Sequence, residues 1–122
     1  DKAPLDSKIA RFPNIQFLKQ SAFSLDPRHH EPVDWIFSDV ICYPERLYTF
    51  VKRWLDSGKC KNFVCTVKLQ GGDRMDKTYK TERTYIGEVL KFKQIPGSKV
   101  LHLYHNKHEV TWVLVEGLAF CR

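Results

Sequence analysis

Apolar residues recur along this 122-residue chain at two spacings, one typical of strands and one typical of a helix. Alternating or nearly continuous apolar runs predict strands at Asn14–Lys19, Val33–Asp39 and Asn62–Leu69. The continuous apolar character of Asn62–Leu69 suggests burial on both faces, as in a parallel sheet. Two further strands, Val100–His105 and Glu109–Val115, follow each other so closely that they predict an antiparallel hairpin.

A helical spacing occupies the segment between the second and third predicted strands. Pro44 suits the first turn of a helix that extends to Ser57, and Gly58 is its natural stop. The apolar positions i, i+3, i+4, i+7 and i+8 predict one buried face, made of Leu47, Phe50, Val51, Trp54 and Leu55. A long, highly charged helix is indicated after the third strand by Met75, Tyr79, Ile86, Val89 and Leu90. Strands alternating with helices indicate an α/β fold.

Composition narrows the class of protein. With 43% hydrophobic and 13% aromatic residues, the chain can bury a core as one domain or a piece of one. A net charge of +6 favours an anionic partner such as nucleic acid. The four cysteines lack Cys-x-x-Cys spacing and no apolar run reaches membrane-spanning length, so we expect a cytoplasmic protein with reduced thiols at Cys42, Cys60, Cys65 and Cys121.

Three ionisable residues lie at the borders of predicted strands, namely Asp39, Lys68 and Glu109. Side chains at the carboxyl ends of parallel strands converge on a ligand crevice, where we expect these three to meet. An amine flanked by carboxylates suits deprotonation of a weakly acidic hydroxyl beside a reactive methyl donor. Plainer roles stay open: a helix cap for Asp39, a residue flanking a turn for Lys68, and an exposed turn carboxylate for Glu109.

Three segments resemble the FtsJ-like ribose 2′-O-methyltransferases: Val33–Asp39, Trp54–Cys60 and Leu103–Thr111. The first contains Asp39 and the third contains Glu109, and the order Asp, Lys, Glu also resembles that family. That family uses a Lys-Asp-Lys-Glu tetrad with S-adenosylmethionine. The resemblance runs almost from end to end and is closest to the RlmM branch, which modifies a cytidine ribose of large-subunit ribosomal RNA.

The resemblance implies a role for each matching residue. Lys68 would be the base on the ribose hydroxyl, assisted by Asp39 and Glu109, with ribosomal RNA as the partner and no metal. The residues expected to bind S-adenosylmethionine are Asp1, Ser21, Ala22 and Asp39. Ser21 stands where the family usually carries an aspartate that contacts adenine.

The resemblance also implies an incomplete Rossmann-like fold ending in the antiparallel hairpin. Residues 1–122 match the carboxyl-terminal portion of a single methyltransferase domain with sheet order 3-2-1-4-5-7-6. The family's first strand, first tetrad lysine and glycine-rich cofactor loop precede the segment that Asp1–Leu5 resembles, so we expect them to be missing. The chain has no Gly-x-Gly, and Gly71–Gly72 lacks the cofactor-loop fingerprint. We therefore expect the chain alone to be inactive, to bind the cofactor weakly and to self-associate through exposed strand edges.

Two other classes of function stay open. A non-catalytic nucleic-acid-binding or scaffold domain is the main alternative, and the basic residues Arg74, Lys77, Lys80 and Arg83 suit either phosphate binding or a solvated helix face. A metal-binding protein is the third class, built on His102, His105 and His108. Their spacing of three places alternate members on opposite faces of a strand, which argues against a shared metal.

Overall fold

The chain forms an α/β structure in a computed structural model that describes residues 4–69 and 82–117, without the side chains of residues 82–86. The helices are α1 (Ser7–Ala10), α2 (Pro44–Asp56) and α3 (Glu82–Lys93). The strands are β1 (Ile36–Ser38), β2 (Phe63–Lys68), β3 (Ser98–Leu101) and β4 (Glu109–Leu114). Short 3₁₀ turns at Ala22–Ser24 and Pro27–His29 precede β1.

The four strands form one mixed sheet in the order β1-β2-β4-β3. Strands β1 and β2 are parallel, and β4 lies antiparallel to both β2 and β3. This order is consistent with the last four strands of the sheet that the resemblance implies, and the predicted antiparallel hairpin is confirmed. The hairpin strand β3 both begins and ends earlier than Val100–His105.

The predicted strand Asn14–Lys19 is wrong, since the structure shows no strand there. Its backbone instead makes local turns, in which the amide of Ile15 donates to Phe12 and that of Gln20 donates to Leu18. Alternation alone does not make a strand, because the ladder requires a neighbouring strand to hydrogen-bond. The second predicted strand, Val33–Asp39, shortens to β1 because only Ile36–Ser38 pair with β2.

Helix α2 confirms the helical interpretation. Pro44 occupies the first turn, and Leu47, Val51 and Trp54 are at most 3% exposed. Phe50 is buried and Leu55 partly buried on the same face. The helix ends before Gly58, whose φ of 72° suits glycine and strains other residues.

One face of the sheet holds the core. Phe63, Cys65 and Val67 of β2 are fully buried, whereas the alternate side chains Val64, Thr66 and Lys68 are only half-buried. The expectation that this strand is buried on both faces is therefore wrong. Helices α2 and α3 cover the first face, where the Phe92 ring of α3 lies 5.4 Å from the ring of Trp112. The second face leaves polar side chains of the sheet within reach of solvent.

The cysteines agree with the expectation of reduced thiols as far as the structure describes them. Cys42, Cys60 and Cys65 are free, and the last two are buried. Burial raises the pKa of the Cys65 thiol to about 12, which keeps it protonated and unreactive. Cys121 lies outside the described residues, as do Met75 and Tyr79 of the long predicted helix and the Gly71–Gly72 pair. Of that helix's other apolar positions, Val89 is partly buried, Leu90 is 48% exposed, and the side chain of Ile86 is not described.

Two glycines provide a matched test of the local backbone. An added Cβ would meet no described atom within 4 Å at Gly58 or at Gly87 of α3. We expect Gly58→Ala to lower the free energy of unfolding by about 1–2 kcal/mol, because of its left-handed backbone. Gly87→Ala should raise it by about 0.5–1 kcal/mol, because alanine favours a helix interior. Urea unfolding of both variants measures the two changes in free energy. Changes of the same sign in the two variants would contradict this prediction.

Candidate active site at the sheet edge

Lys68 joins two carboxylates at one edge of the sheet. Its Nζ donates to Asp39 Oδ1 at 2.7 Å and to Glu109 Oε2 at 2.7 Å. Lys68 and Glu109 are also directly opposite each other in the β2–β4 ladder. The predicted meeting of the three side chains is confirmed, whereas their catalytic roles stay a prediction.

The strand directions explain why residues so distant in sequence meet. Because β1 and β2 are parallel, Asp39 after β1 and Lys68 at the end of β2 reach the same edge. Glu109 reaches that edge differently, since it begins the antiparallel strand β4. The sequence argument from carboxyl ends therefore holds for two of the three residues, and the hairpin brings in the third.

The plainer role of Asp39 as a helix cap does not fit the geometry. The residue that caps α2 is Tyr43, without a side-chain hydrogen bond to the first turn. Asp39 instead accepts a hydrogen bond from Lys68 through one carboxylate oxygen. Its side chain is 77% exposed, against 26% for that of Glu109, so Glu109 is the better shielded partner.

The charge state of Lys68 follows from its surroundings. Partial burial lowers the pKa of its ammonium group, but the hydrogen bonds to Asp39 and Glu109 outweigh this effect, so that the pKa is raised above its usual value. The resting side chain is therefore an ammonium held between two carboxylates. A group in this state must lose its proton before it can act as a base.

A cleft beside the trio collects the predicted cofactor residues that the structure describes. It has a volume of ≈ 880 Å³ and is lined by Lys19, Gln20, Ser21, Ala22, Phe23, Asp39, Val40 and Ile41. Ser21 opens the 3₁₀ turn at its wall, where its Oγ accepts from the amide of Phe23 at 3.2 Å. The structure thus brings Ser21 and Ala22 to one cleft with Asp39. Asp1 lies outside the described residues.

The sequence interpretation missed Asn106, which lies between the two predicted strands of the hairpin. Its Nδ2 donates to Glu109 Oε1 at 3.2 Å, on the oxygen that Lys68 does not use. The signal available in the sequence was its position three residues before Glu109, in a loop where asparagine commonly bonds nearby backbone. Only the folded hairpin shows that the side chain contacts the trio.

Within residues 4–69 and 82–117, no three His, Cys, Asp or Glu side chains are grouped to hold a metal ion. In the same residues, no helix is both long and apolar enough to cross a membrane. The basic cluster predicted after the third strand lies outside the described side chains; it comprises Arg74, Lys77, Lys80 and Arg83.

Sequence comparisons relate the chain to proteins named ribosomal RNA large subunit methyltransferase M. The protein of that name from Thauera aminoaromatica is 28% identical over 111 residues, which are 91% of this chain and 30% of the relative. The Pseudomonas savastanoi protein is 30% identical over 115 residues, with the same two shares. The Pseudomonas putida F1 protein is 27% identical over 121 residues, covering 91% of the chain and 31% of the relative.

The match covers most of this chain but only part of each relative. The chain spans about 30% of the length of the curated relatives it matches. No family model matches the chain, and no solved structure matches it. The relatives' names confirm the resemblance drawn from Val33–Asp39, Trp54–Cys60 and Leu103–Thr111. Over nine tenths of its length, the chain is similar to proteins named ribosomal RNA large subunit methyltransferase M.

Proposed function

We propose that this chain carries the catalytic edge of an RNA ribose 2′-O-methyltransferase that uses S-adenosylmethionine and acts on large-subunit ribosomal RNA. The observation that carries the proposal is the double hydrogen bond of Lys68 to Asp39 and Glu109 at 2.7 Å each. The names of the relatives supply the substrate class. The activity belongs to the natural protein that contains this chain.

Lys68 serves in this proposal as the base for the ribose 2′-hydroxyl. In the neutral amine the two N–H groups can donate to the two carboxylates, which leaves the lone pair of Nζ to accept the hydroxyl proton. These carboxylates also oppose the reaction, because both stabilise the charged form of the amine. A further cation beside the exposed carboxylate of Asp39 would relieve that opposition, and the family's first tetrad lysine is a group of this kind.

The cleft beside Asp39 suits the adenosine part of S-adenosylmethionine. Its ≈ 880 Å³ lies within the range of small-molecule sites, and its lining combines apolar side chains with the polar Ser21 and Gln20. When bound, the cofactor supplies an electrophilic methyl group. Ser21, Ala22 and Asp39 would hold its nucleoside portion, with Ser21 replacing the family's adenine-contacting aspartate.

The remaining parts of the proposal concern fold and partners. The four described strands would be the second half of a Rossmann-like sheet, in a protein that works on RNA in the cytoplasm. Strand β1 pairs only with β2 among the described residues, so its outer edge offers free hydrogen-bonding groups. We propose that this edge drives self-association when the chain is studied alone.

The position of the transferred methyl group tests the proposal. The natural protein should transfer labelled methyl from S-adenosylmethionine to unmodified large-subunit ribosomal RNA, and nuclease digestion should release one 2′-O-methylated nucleoside. The same RNA with a 2′-deoxy nucleotide at the mapped position should accept no label, because the nucleophile is gone. A methyl group on a base, or transfer that persists to the deoxy substrate, would refute a ribose target. Tight RNA binding without any transfer would support the non-catalytic alternative instead.

A further inference from the structure

Asn106 lies in the β3–β4 loop and makes more hydrogen bonds than a turn requires. Its Oδ1 accepts from the amide of Leu103 at 2.7 Å and from the hydroxyl of Thr111 at 3.3 Å. The backbone N–H of Asn106 donates to the carbonyl of Leu103 at 2.9 Å, which closes the turn. These contacts fix both the backbone and the side chain of Asn106.

The two bonds at Oδ1 settle which way the amide faces. Since the backbone N–H of Leu103 can only donate, the oxygen of the side chain must face it, and the Nδ2 group must face Glu109; the Thr111 hydroxyl then donates to the same oxygen. Nδ2 then donates to Glu109 Oε1 at 3.2 Å, while Glu109 Oε2 accepts from Lys68. Both oxygens of this carboxylate are therefore held, one by a neutral donor and the other by the ammonium.

We propose that Asn106 is a positioning residue. It fixes the Glu109 carboxylate, so that Glu109 and the Lys68 amine keep the same relative orientation during the reaction. The inference rests on the proposed function, and it adds a residue that the tetrad does not include. Asn106 acts through Glu109 and needs no contact with RNA or cofactor. The backbone amide of Leu103, at 2.7 Å, is the main contact that holds the Asn106 side chain, and the bond from Thr111 is longer, at 3.3 Å.

A neutral donor has a chemical advantage at this place. A cation there would compete with Lys68 for the carboxylate, and an anion would further stabilise the ammonium form of Lys68. Among the described residues, the charged groups that contact the Lys68 amine are Asp39 and Glu109. The amide of Asn106 restrains Glu109 without adding a third charge to this pair.

Two substitutions separate the orienting role from the turn. Asn106→Asp keeps an acceptor for Leu103 and Thr111 but loses the donor to Glu109 and adds a negative charge. Asn106→Ala removes all side-chain contacts. Thr111→Val is the matched control, because it removes one bond to the same amide oxygen and leaves the Glu109 contact in place.

Methyl-transfer kinetics of the natural protein provide the first readout. We expect Asn106→Ala to lower kcat about 10- to 100-fold with KM for RNA within about threefold, as for loss of a hydrogen bond to a charged group. Asn106→Asp should move the rising limb of the pH–kcat profile upward by about one unit, so that activity recovers at alkaline pH. Thr111→Val should stay within about threefold of the parent protein.

A titration that needs no activity separates this inference from the proposed function. The ¹³Cε resonance of Lys68, followed by NMR against pH, should show a higher pKa in Asn106→Asp than in the parent protein and in Thr111→Val. That shift would support the contact between Asn106 and Glu109 even if no methyl transfer were found. Absence of methyl transfer would contradict only the proposed function. Unchanged titration together with unchanged kcat in both Asn106 variants would overturn the positioning role. The positioning role would also be overturned if all three variants lost activity in proportion to the fall in their melting temperatures, by the same factor at every pH.

Discussion

Lys68→Ala in the natural protein is expected to reduce methyl transfer by about 10²–10⁴-fold, the usual cost of losing a general base. Cofactor affinity should be nearly unchanged, because Lys68 does not line the cleft and is proposed to act on the ribose, not on the methyl donor. The fold should survive, since both carboxylates that lose their partner retain contact with solvent. Single-turnover rates, calorimetry and thermal melts measure these three quantities.

Lys68→Arg distinguishes a base from a fixed positive charge. Arginine keeps the charge and the donors but does not lose its proton in proteins. If Lys68 must be neutral to act, this variant should be about as inactive as the alanine variant. Retention of most activity by the arginine variant would show that Lys68 acts as a charge, and the assigned role would be wrong.

Lys61→Ala is the matched control for these variants. Lys61 stands just before the opposite end of β2, is 61% exposed and pairs with Glu116 at 3.5 Å. Its loss should leave the rate within about twofold, since exposed ion pairs contribute little. A large effect of Lys61→Ala would mean that rate losses in this strand report stability or RNA binding in general.

Trp112→Ala is expected to lower the free energy of unfolding by about 3–5 kcal/mol, as for a large aromatic removed from a core. Trp112 is fully buried between the rings of Phe63 and Phe92, whose centroids lie 5.7 Å and 5.4 Å away. Its Nε1 donates to the Phe92 carbonyl at 3.0 Å and ties β4 to α3. The measurement is urea unfolding followed by circular dichroism.

Phenylalanine substitutions keep the test informative if the alanine variant does not fold. Trp112→Phe should cost about 2–3 kcal/mol, because it loses packing together with a buried hydrogen bond. Trp54 is 3% exposed, but its Nε1 has no hydrogen-bond partner in the described part of the chain. Trp54→Phe should therefore cost less than about 1 kcal/mol, because removal of an unpaired buried donor offsets lost packing. An equal cost at both positions would contradict this account.

Helix α2 could be predicted from sequence because its signals are local. Pro44, Gly58 and the spacing of Leu47, Val51 and Trp54 each act within one or two turns. The strand at Asn14–Lys19 failed for the opposite reason. Alternation there is local too, but a strand exists only where another strand supplies hydrogen-bonding partners, and none pairs with it in the described sheet.

The candidate site divides in the same way. The sequence by itself determined which residues are chemically suited to it, because Asp39, Lys68 and Glu109 stand at the borders of predicted strands. It also determined the buried face of α2 and the hairpin. Tertiary structure alone decided that Glu109 arrives on an antiparallel strand opposite Lys68 and that Asn106 holds its second oxygen. The contacts of Lys68 depend on strand order and register, which join residues 29 and 41 positions apart and leave no local signal in the chain. The bond from Asn106 spans only three residues, but it forms only when the folded hairpin fixes both side chains.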